Sequence, residues 1–115
     1  MTPARGEGVR HFRHQRLTAV MLMPLVLAFL VMCVAFVGAD YLTVRSAFKM
    51  PFVFVCVLIF VEVAVYHMRL GMQAILEDYV SGTGTLRLLL RLNIAFAFIV
   101  GTMAAYALVR LTFLS

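Results

Sequence analysis

Charged and apolar positions separate sharply along this chain. Leu17 to Gly38 is a run of 22 residues without a charge, LTAVMLMPLVLAFLVMCVAFVG. At 1.5 Å per residue a helix of that length spans about 33 Å, enough for a hydrocarbon core of about 30 Å. Pro24 lies inside the run and frees one backbone carbonyl, which a kink or a neighbouring helix must accommodate. A second run opens at Pro51, a favoured first-turn residue, and continues to Glu77-Asp78-Tyr79. Its uncharged part is short, Pro51 to Val61, and Glu62, His67 and Arg69 interrupt the rest. A third run begins near Leu86, with Arg87, Arg91 and Arg110 towards its ends and Asn93 and Gly101 inside it. Ala39 to Met50 links the first two runs, and SGTGT at 81–85 separates the second from the third. The pattern predicts an all-α integral membrane protein with three transmembrane helices, 17–38, 51–79 and 86–112. Short links predict an up-down-up antiparallel bundle. Around the spans lie a basic segment 1–16, a loop 39–50, a turn 80–85 and a short end 113–115.

Composition narrows the class. Apolar residues make up 64% of the chain and charged residues 13%, with a mean hydropathy of +1.04. A soluble domain this small exposes much of its surface and carries about 25% charged residues. A soluble enzyme, a disordered tail and a disulfide scaffold are therefore excluded, and the partner is a lipid bilayer. The net charge of +5 does not point to nucleic acid, because the basic residues flank apolar runs and form no face with interleaved aromatics. Their distribution sets orientation instead. Arg5, Arg10, Arg13, Arg16, Arg87 and Arg91 fall on one side, against Arg45, Lys49 and Arg110 on the other. The N-terminus is expected in the cytoplasm and loop 39–50 in the periplasm. The start of the chain resembles the basic region of a signal peptide, but the apolar run exceeds the usual length of about 7–15 residues and no A-x-A site follows, so a retained span is expected. Cys33 and Cys56 sit inside apolar runs with no second cysteine nearby, and read as free thiols.

Polar groups inside a span are costly and often functional, and the second span concentrates them. With His67 as origin and 100° per residue, Gly71, Ala74 and Asp78 fall at about 40°, 340° and 20°, and Tyr79 at about 120°. His67, Gly71, Ala74 and Asp78 thus share one face, with an axial rise of about 16 Å from His67 to Asp78. A histidine facing a helix interface, with a glycine one turn away that admits a flat macrocycle, is the pattern of a haem ligand. It is equally the pattern of a hydrogen-bonded histidine between helices packed through a glycine. No other histidine lies in a span, so a second axial ligand would come from another chain. Glu62 falls on the opposite side, with Arg69 two turns on, and both suit an interhelical role. Asp78 and Tyr79 are either a helix-end carboxylate and an interfacial aromatic or a quinone site, the phenol donating to a quinone carbonyl and the carboxylate relaying protons. The segment Arg10-His11-Phe12-Arg13-His14-Gln15-Arg16 is either an orienting anchor or a binder of anionic groups such as haem propionates.

These residues carry a family resemblance. Tyr66 to Tyr79, YHMRLGMQAILEDY, resembles the H-x3-G-x6-D-Y signature of the small hydrophobic, D-type anchor subunit of succinate dehydrogenase, respiratory complex II. Gln15-Arg16-Leu17-Thr18-Ala19-Val20, followed by Met23-Pro24-Leu25, is similar to the QR-x-TAV…PL pattern of alphaproteobacterial members. The resemblance runs from about Gly8 to the C-terminus. It implies a non-catalytic anchor in a four-subunit enzyme of the bacterial inner membrane. A flavoprotein subunit oxidises succinate, an iron-sulfur subunit passes the electrons on, and a cytochrome b-type anchor shares haem b and the ubiquinone site with this type of chain. It implies His67 as an axial ligand of the haem iron, Gly71 packed against the haem, Arg16 near the propionates, and Tyr79 and Asp78 at the quinone. The chain departs from the pattern at Arg13, where many relatives carry tryptophan, and at Arg10, where some carry histidine. Two other readings stand beside it: the anchor of a quinol:fumarate reductase, and a cofactor-free multispan scaffold. No dinucleotide-binding glycine motif and no cysteine cluster is present, so succinate oxidation itself is not expected of this chain.

Overall fold

The computed structural model describes residues 5–114, with side chains from Gly8 onward. Residues 1–4 of the basic N-terminal segment and Ser115 lie outside the described residues. Four helices follow one another: α1 (Arg5–Ala35), α2 (Tyr41–Phe48), α3 (Pro51–Tyr79) and α4 (Thr83–Phe113). Three of them, Gly8–Ala35, Pro51–Tyr79 and Thr83–Phe113, are long and apolar enough to cross a membrane. All-helical architecture with three spans is thus what the apolar pattern predicts.

The helix ends differ from the apolar runs for physical reasons. α1 starts well before Leu17: Gly6 and Gly8 are weak helix formers, but no proline stands between Arg5 and Arg16, and Arg10, Arg13, Gln15 and Arg16 favour a helix. Its 31 residues measure about 46 Å, so roughly its first three turns extend beyond a core of about 30 Å. Arg10, Arg13 and Arg16 are exposed there. The link expected as loop 39–50 contains α2. Asp40 caps it, its Oδ1 accepting from the Thr43 N–H at 2.9 Å. The chain enters this link through Gly38, whose φ of +78° requires a residue without a Cβ. Pro51 opens α3 at its first turn. The second break is shorter than SGTGT: Gly82 caps α4, so Gly84 and Thr85 are already helical.

α3 is the centre of the molecule. It packs against α1 on one side and α4 on the other, while α1 and α4 make no packing contact with each other among the described residues. Both pairs are antiparallel. Along α1–α3, Thr18 meets His67 and Phe29 stacks on Phe60 with ring centroids 4.9 Å apart. Along α3–α4, Asn93 meets Arg69 and Gly101 meets Glu62. The α1 seam contains His11, Gln15, Thr18, Leu22, Leu25, Phe29 and Met32, alternating steps of four and three. That spacing is the ridge-and-groove geometry of helices crossing at a shallow angle. α2 closes the far end, where the Thr112 hydroxyl donates to the Phe48 carbonyl at 2.9 Å.

Little apolar surface is hidden. Leu70, Ala97 and Leu108 are the buried hydrophobic side chains among the described residues, with Thr18, Asn93 and Thr112 as buried polar ones. Large apolar residues face outward instead, as lipid-facing helices require. The α4 seam is small or polar at Asn93, Ala97 and Gly101, which lets backbones approach. At Gly101 the neighbour is a carboxylate, since a Cβ there would stand 2.9 Å from Glu62 Oε2.

That carboxylate is the far end of a flexible side chain and can swing aside, so Gly101→Ala is expected to be tolerated. Gly101→Leu is expected to cost about 1–3 kcal/mol by overpacking, and Glu62→Ala to recover most of that loss. Unfolding in mixed detergent measures all three; a Gly101→Leu loss untouched by Glu62→Ala would exclude this steric account. A second expectation concerns pH. Hydrogen bonds from the Thr43 side chain and backbone hold the Asp40 carboxyl below its ordinary 3.8. A lowered carboxylate supports the fold above the unfolded value and loses that support as pH falls through the lowered one. Amide exchange in α2, corrected for intrinsic rates, should therefore quicken on acidification below about pH 4. Asp40→Asn, which still caps but does not titrate, should abolish that dependence.

Candidate functional site

The α1 stripe becomes polar towards the N-terminal end of the pair, where His11, Gln15 and Thr18 face α3. α3 answers with Tyr66, His67 and Gly71. Thr18 is buried, and its hydroxyl lies 2.9 Å from His67 Nδ1. The same hydroxyl donates back to its own helix, 2.9 Å from the His14 carbonyl and 3.0 Å from that of Gln15. His67 Nε2 makes no hydrogen bond among the described residues and is not among the buried unpartnered atoms, so it reaches the surface of the helix pair. One turn along, Gln15 Nε2 stands 3.5 Å from where a Cβ on Gly71 would be. A Cβ at Gly71 would make only an ordinary contact there, so the approach of α1 does not depend on the glycine.

A second pair flanks the first. His14 Nδ1 lies 2.9 Å from the Tyr66 hydroxyl, with the rings tilted by 50°. The Arg69 guanidinium carbon sits 5.9 Å from the Tyr66 ring centroid, a cation–π contact. On the opposite side of α3, buried Asn93 donates from Nδ2 to the Arg69 carbonyl at 2.9 Å. The same α3 turn is therefore tied to α1 through side chains and to α4 through its backbone. His11 Nε2, Gln15 Oε1, Glu62 Oε1 and Arg69 Nε are buried with no hydrogen-bond partner among the described residues.

The remaining sequence candidates are spread out. Arg16 is exposed, its guanidinium carbon 5.4 Å from the Phe12 ring centroid. It sits on α1 between Gln15, which meets Gly71, and Thr18, which meets His67, but turned away from α3. Asp78 and Tyr79 lie together in the last turn of α3, both exposed, Tyr79 at 83%. They are a helical rise of about 16 Å from His67 and make no contact with it. On the neighbouring turn Gln73 Nε2 donates to Glu77 Oε1 at 2.9 Å. No group of three or more His, Cys, Asp or Glu side chains suited to a metal ion occurs among the described residues. Cys33 and Cys56 are free thiols.

Sequence reasoning missed Thr18, His14–Tyr66 and the Asn93 tie as parts of this arrangement. The signal for the first was present, because His11, Gln15 and Thr18 recur at steps of four and three across the start of the apolar run. That phase was hidden by treating the span as uniformly apolar.

Three antiparallel apolar spans with a polar seam near one end define a small multispan membrane protein. The family model described as "Succinate dehydrogenase/Fumarate reductase transmembrane subunit" matches residues 4–109, and the chain belongs to that family. It is 32% identical over 78 residues to the succinate dehydrogenase hydrophobic membrane anchor subunit of Rickettsia felis, covering 68% of this chain and 65% of that one. It is 34% identical over 80 residues to the protein of the same name from Rickettsia bellii, covering 70% and 64%. The matches thus span just under two thirds of these relatives' lengths. No solved structure matches.

Proposed function

We propose that this chain is the hydrophobic anchor subunit of a succinate dehydrogenase in the bacterial inner membrane. It holds the flavoprotein and iron-sulfur subunits at the cytoplasmic face and, with a cytochrome b-type anchor, builds a haem b site and a ubiquinone site. The observation that carries the redox reading is the state of His67: one nitrogen occupied by Thr18, the other open at the surface. An axial ligand has that form, since the nitrogen not bound to metal is regularly hydrogen-bonded and so orients the ring. His67 would supply one ligand to the iron and the partner anchor the other. When bound, the haem would supply a one-electron store. Arg16, exposed at the level of His67, offers a guanidinium fork for a propionate. Gly71, which the resemblance packs against the haem, faces Gln15 of α1.

At the cytoplasmic end, Tyr79 and Asp78 are reached from both water and the headgroup region. The Tyr79 phenol donates a hydrogen bond to a quinone carbonyl, and Asp78 passes protons from solvent. Ubiquinone takes two electrons from the iron-sulfur subunit and two protons through this end, and leaves as ubiquinol. The family description also covers fumarate reductase; the same residues would then serve the reverse reaction with a quinol donor. Arg10, Arg13, Arg16, Arg87 and Arg91 all lie at this end of the helices and favour the cytoplasmic side.

His67→Ala is expected to remove or shift the b-type band in a reduced-minus-oxidised optical spectrum of the complex, and an unchanged band would refute the ligand assignment. Tyr79→Phe is expected to slow ubiquinone reduction by about 10- to 100-fold while sparing succinate oxidation with a soluble acceptor. Parallel loss of both activities would exclude a role at the quinone.

A further inference from the structure

We propose that Thr18 sets the tautomer of His67 and thereby decides which ring nitrogen this chain can offer as a ligand. Thr18 Oγ1 has three neighbours: the His14 carbonyl at 2.9 Å, the Gln15 carbonyl at 3.0 Å and His67 Nδ1 at 2.9 Å. A hydroxyl owns one proton and two lone pairs, and a carbonyl oxygen owns no proton. Both carbonyl contacts therefore draw on the single hydroxyl proton, shared between them. With that proton engaged, the oxygen can only accept from its third neighbour. That arrangement makes His67 the donor, through Nδ1–H. A neutral imidazole carries one N–H, so Nε2 is left with a lone pair.

The opposite tautomer is disfavoured by the same geometry. It would aim the Nδ1 lone pair at an oxygen whose proton is already used. Thr18 is only 7% exposed, so water has little access to mend the mismatch. The resulting bias is about tenfold or more in favour of Nδ1–H. Ligating histidines commonly receive this treatment from a carboxylate or a backbone carbonyl. Here a threonine does it without adding a charge to the span. Its acceptor character is enforced by the carbonyls one turn back on α1, so the fold of α1 is read out in the chemistry of α3.

The functional consequence rests on His67 being an axial ligand, whereas the tautomer is measurable without any bound group. The first experiment records 15N spectra of the histidine-labelled full chain in detergent, with His67 assigned by its absence in His67→Ala. The wild type should show a protonated Nδ1 and an unprotonated Nε2. Thr18→Ser, which keeps the hydroxyl, should retain that state. Thr18→Val, which keeps the shape, should lower the Nδ1–H to Nε2–H ratio about tenfold. A wild-type ring protonated at Nε2, or an unchanged ratio in Thr18→Val, overturns the proposal. The second experiment uses the assembled complex. Thr18→Val is expected to shift or weaken the b-type band, with Thr18→Ser close to wild type. A wild-type band in Thr18→Val refutes the link from tautomer to ligation. A wild-type complex with no b-type band removes the ligand reading and that link, and leaves the tautomer assignment standing on the first experiment.

Discussion

Lipid tails are as apolar as leucine, so burying a leucine face against another helix gains little in a bilayer. Whatever pairs these helices must come from close packing and from polar groups that lipid cannot satisfy. The three buried polar side chains among the described residues each reach a different helix. Thr18 contacts His67 across α1–α3, Asn93 donates to the Arg69 carbonyl across α3–α4, and Thr112 donates to the Phe48 carbonyl across α2–α4. Interhelical hydrogen bonds in membranes average about 0.6 kcal/mol and reach about 1.7. Three of them supply a few kcal/mol at most, with small residues at Ala97 and Gly101 adding close contact. The ties specify register more than they supply strength.

This division has a spatial consequence. The polar part of the α1–α3 seam lies at the end holding His11, Gln15, Thr18 and His67. At the other end the two helices hold an apolar cleft of about 280 Å³, whose lining includes Leu25, Phe29, Phe52, Cys56 and Phe60. One helix pair thus combines a tightly specified polar half with a loosely filled apolar half. The histidine stands in the specified half. A ring whose orientation matters is better held by a hydrogen bond there than by packing, since Leu70 is the one buried side chain on α3 among the described residues.

The sequence made some of this legible and hid the rest. Span number and antiparallel order follow from run length and link length, which the bilayer reads directly. His67, Asp78 and Tyr79 stand out because polar groups in apolar runs are few. What could not be seen was partnership across helices. A face angle says that His67 and Gly71 point the same way; it does not say that α1, rather than open space, stands opposite. The short helix at Tyr41–Phe48 was hidden because an eight-residue helix is not stable alone and exists through its Asp40 cap and its packing on α3 and α4. Glu62 against Gly101 was readable only as two separate oddities, 39 positions apart.

Two histidines on this helix pair make similar contacts and are not equivalent. His14 Nδ1 meets the Tyr66 phenol at 2.9 Å. That phenol is bonded to nothing else among the described residues, so its proton is free to point at the ring or away from it. Either tautomer of His14 forms the bond, and the contact selects neither. His67 meets a hydroxyl already committed to two carbonyls, so one tautomer gains a bond of about 1 kcal/mol while the other suffers an unsatisfied contact worth about 1–3 kcal/mol. The difference lies in what the hydroxyl does elsewhere, not in the distance to the ring. A phenol at the end of a rigid ring cannot reach its own backbone, whereas a threonine inside a helix can bond the carbonyls three and four residues before it. Placing threonine on α1 opposite His67 therefore determines the ring where placing tyrosine on α3 opposite His14 does not. This asymmetry singles out His67 as the imidazole of the pair that is prepared to present one defined nitrogen.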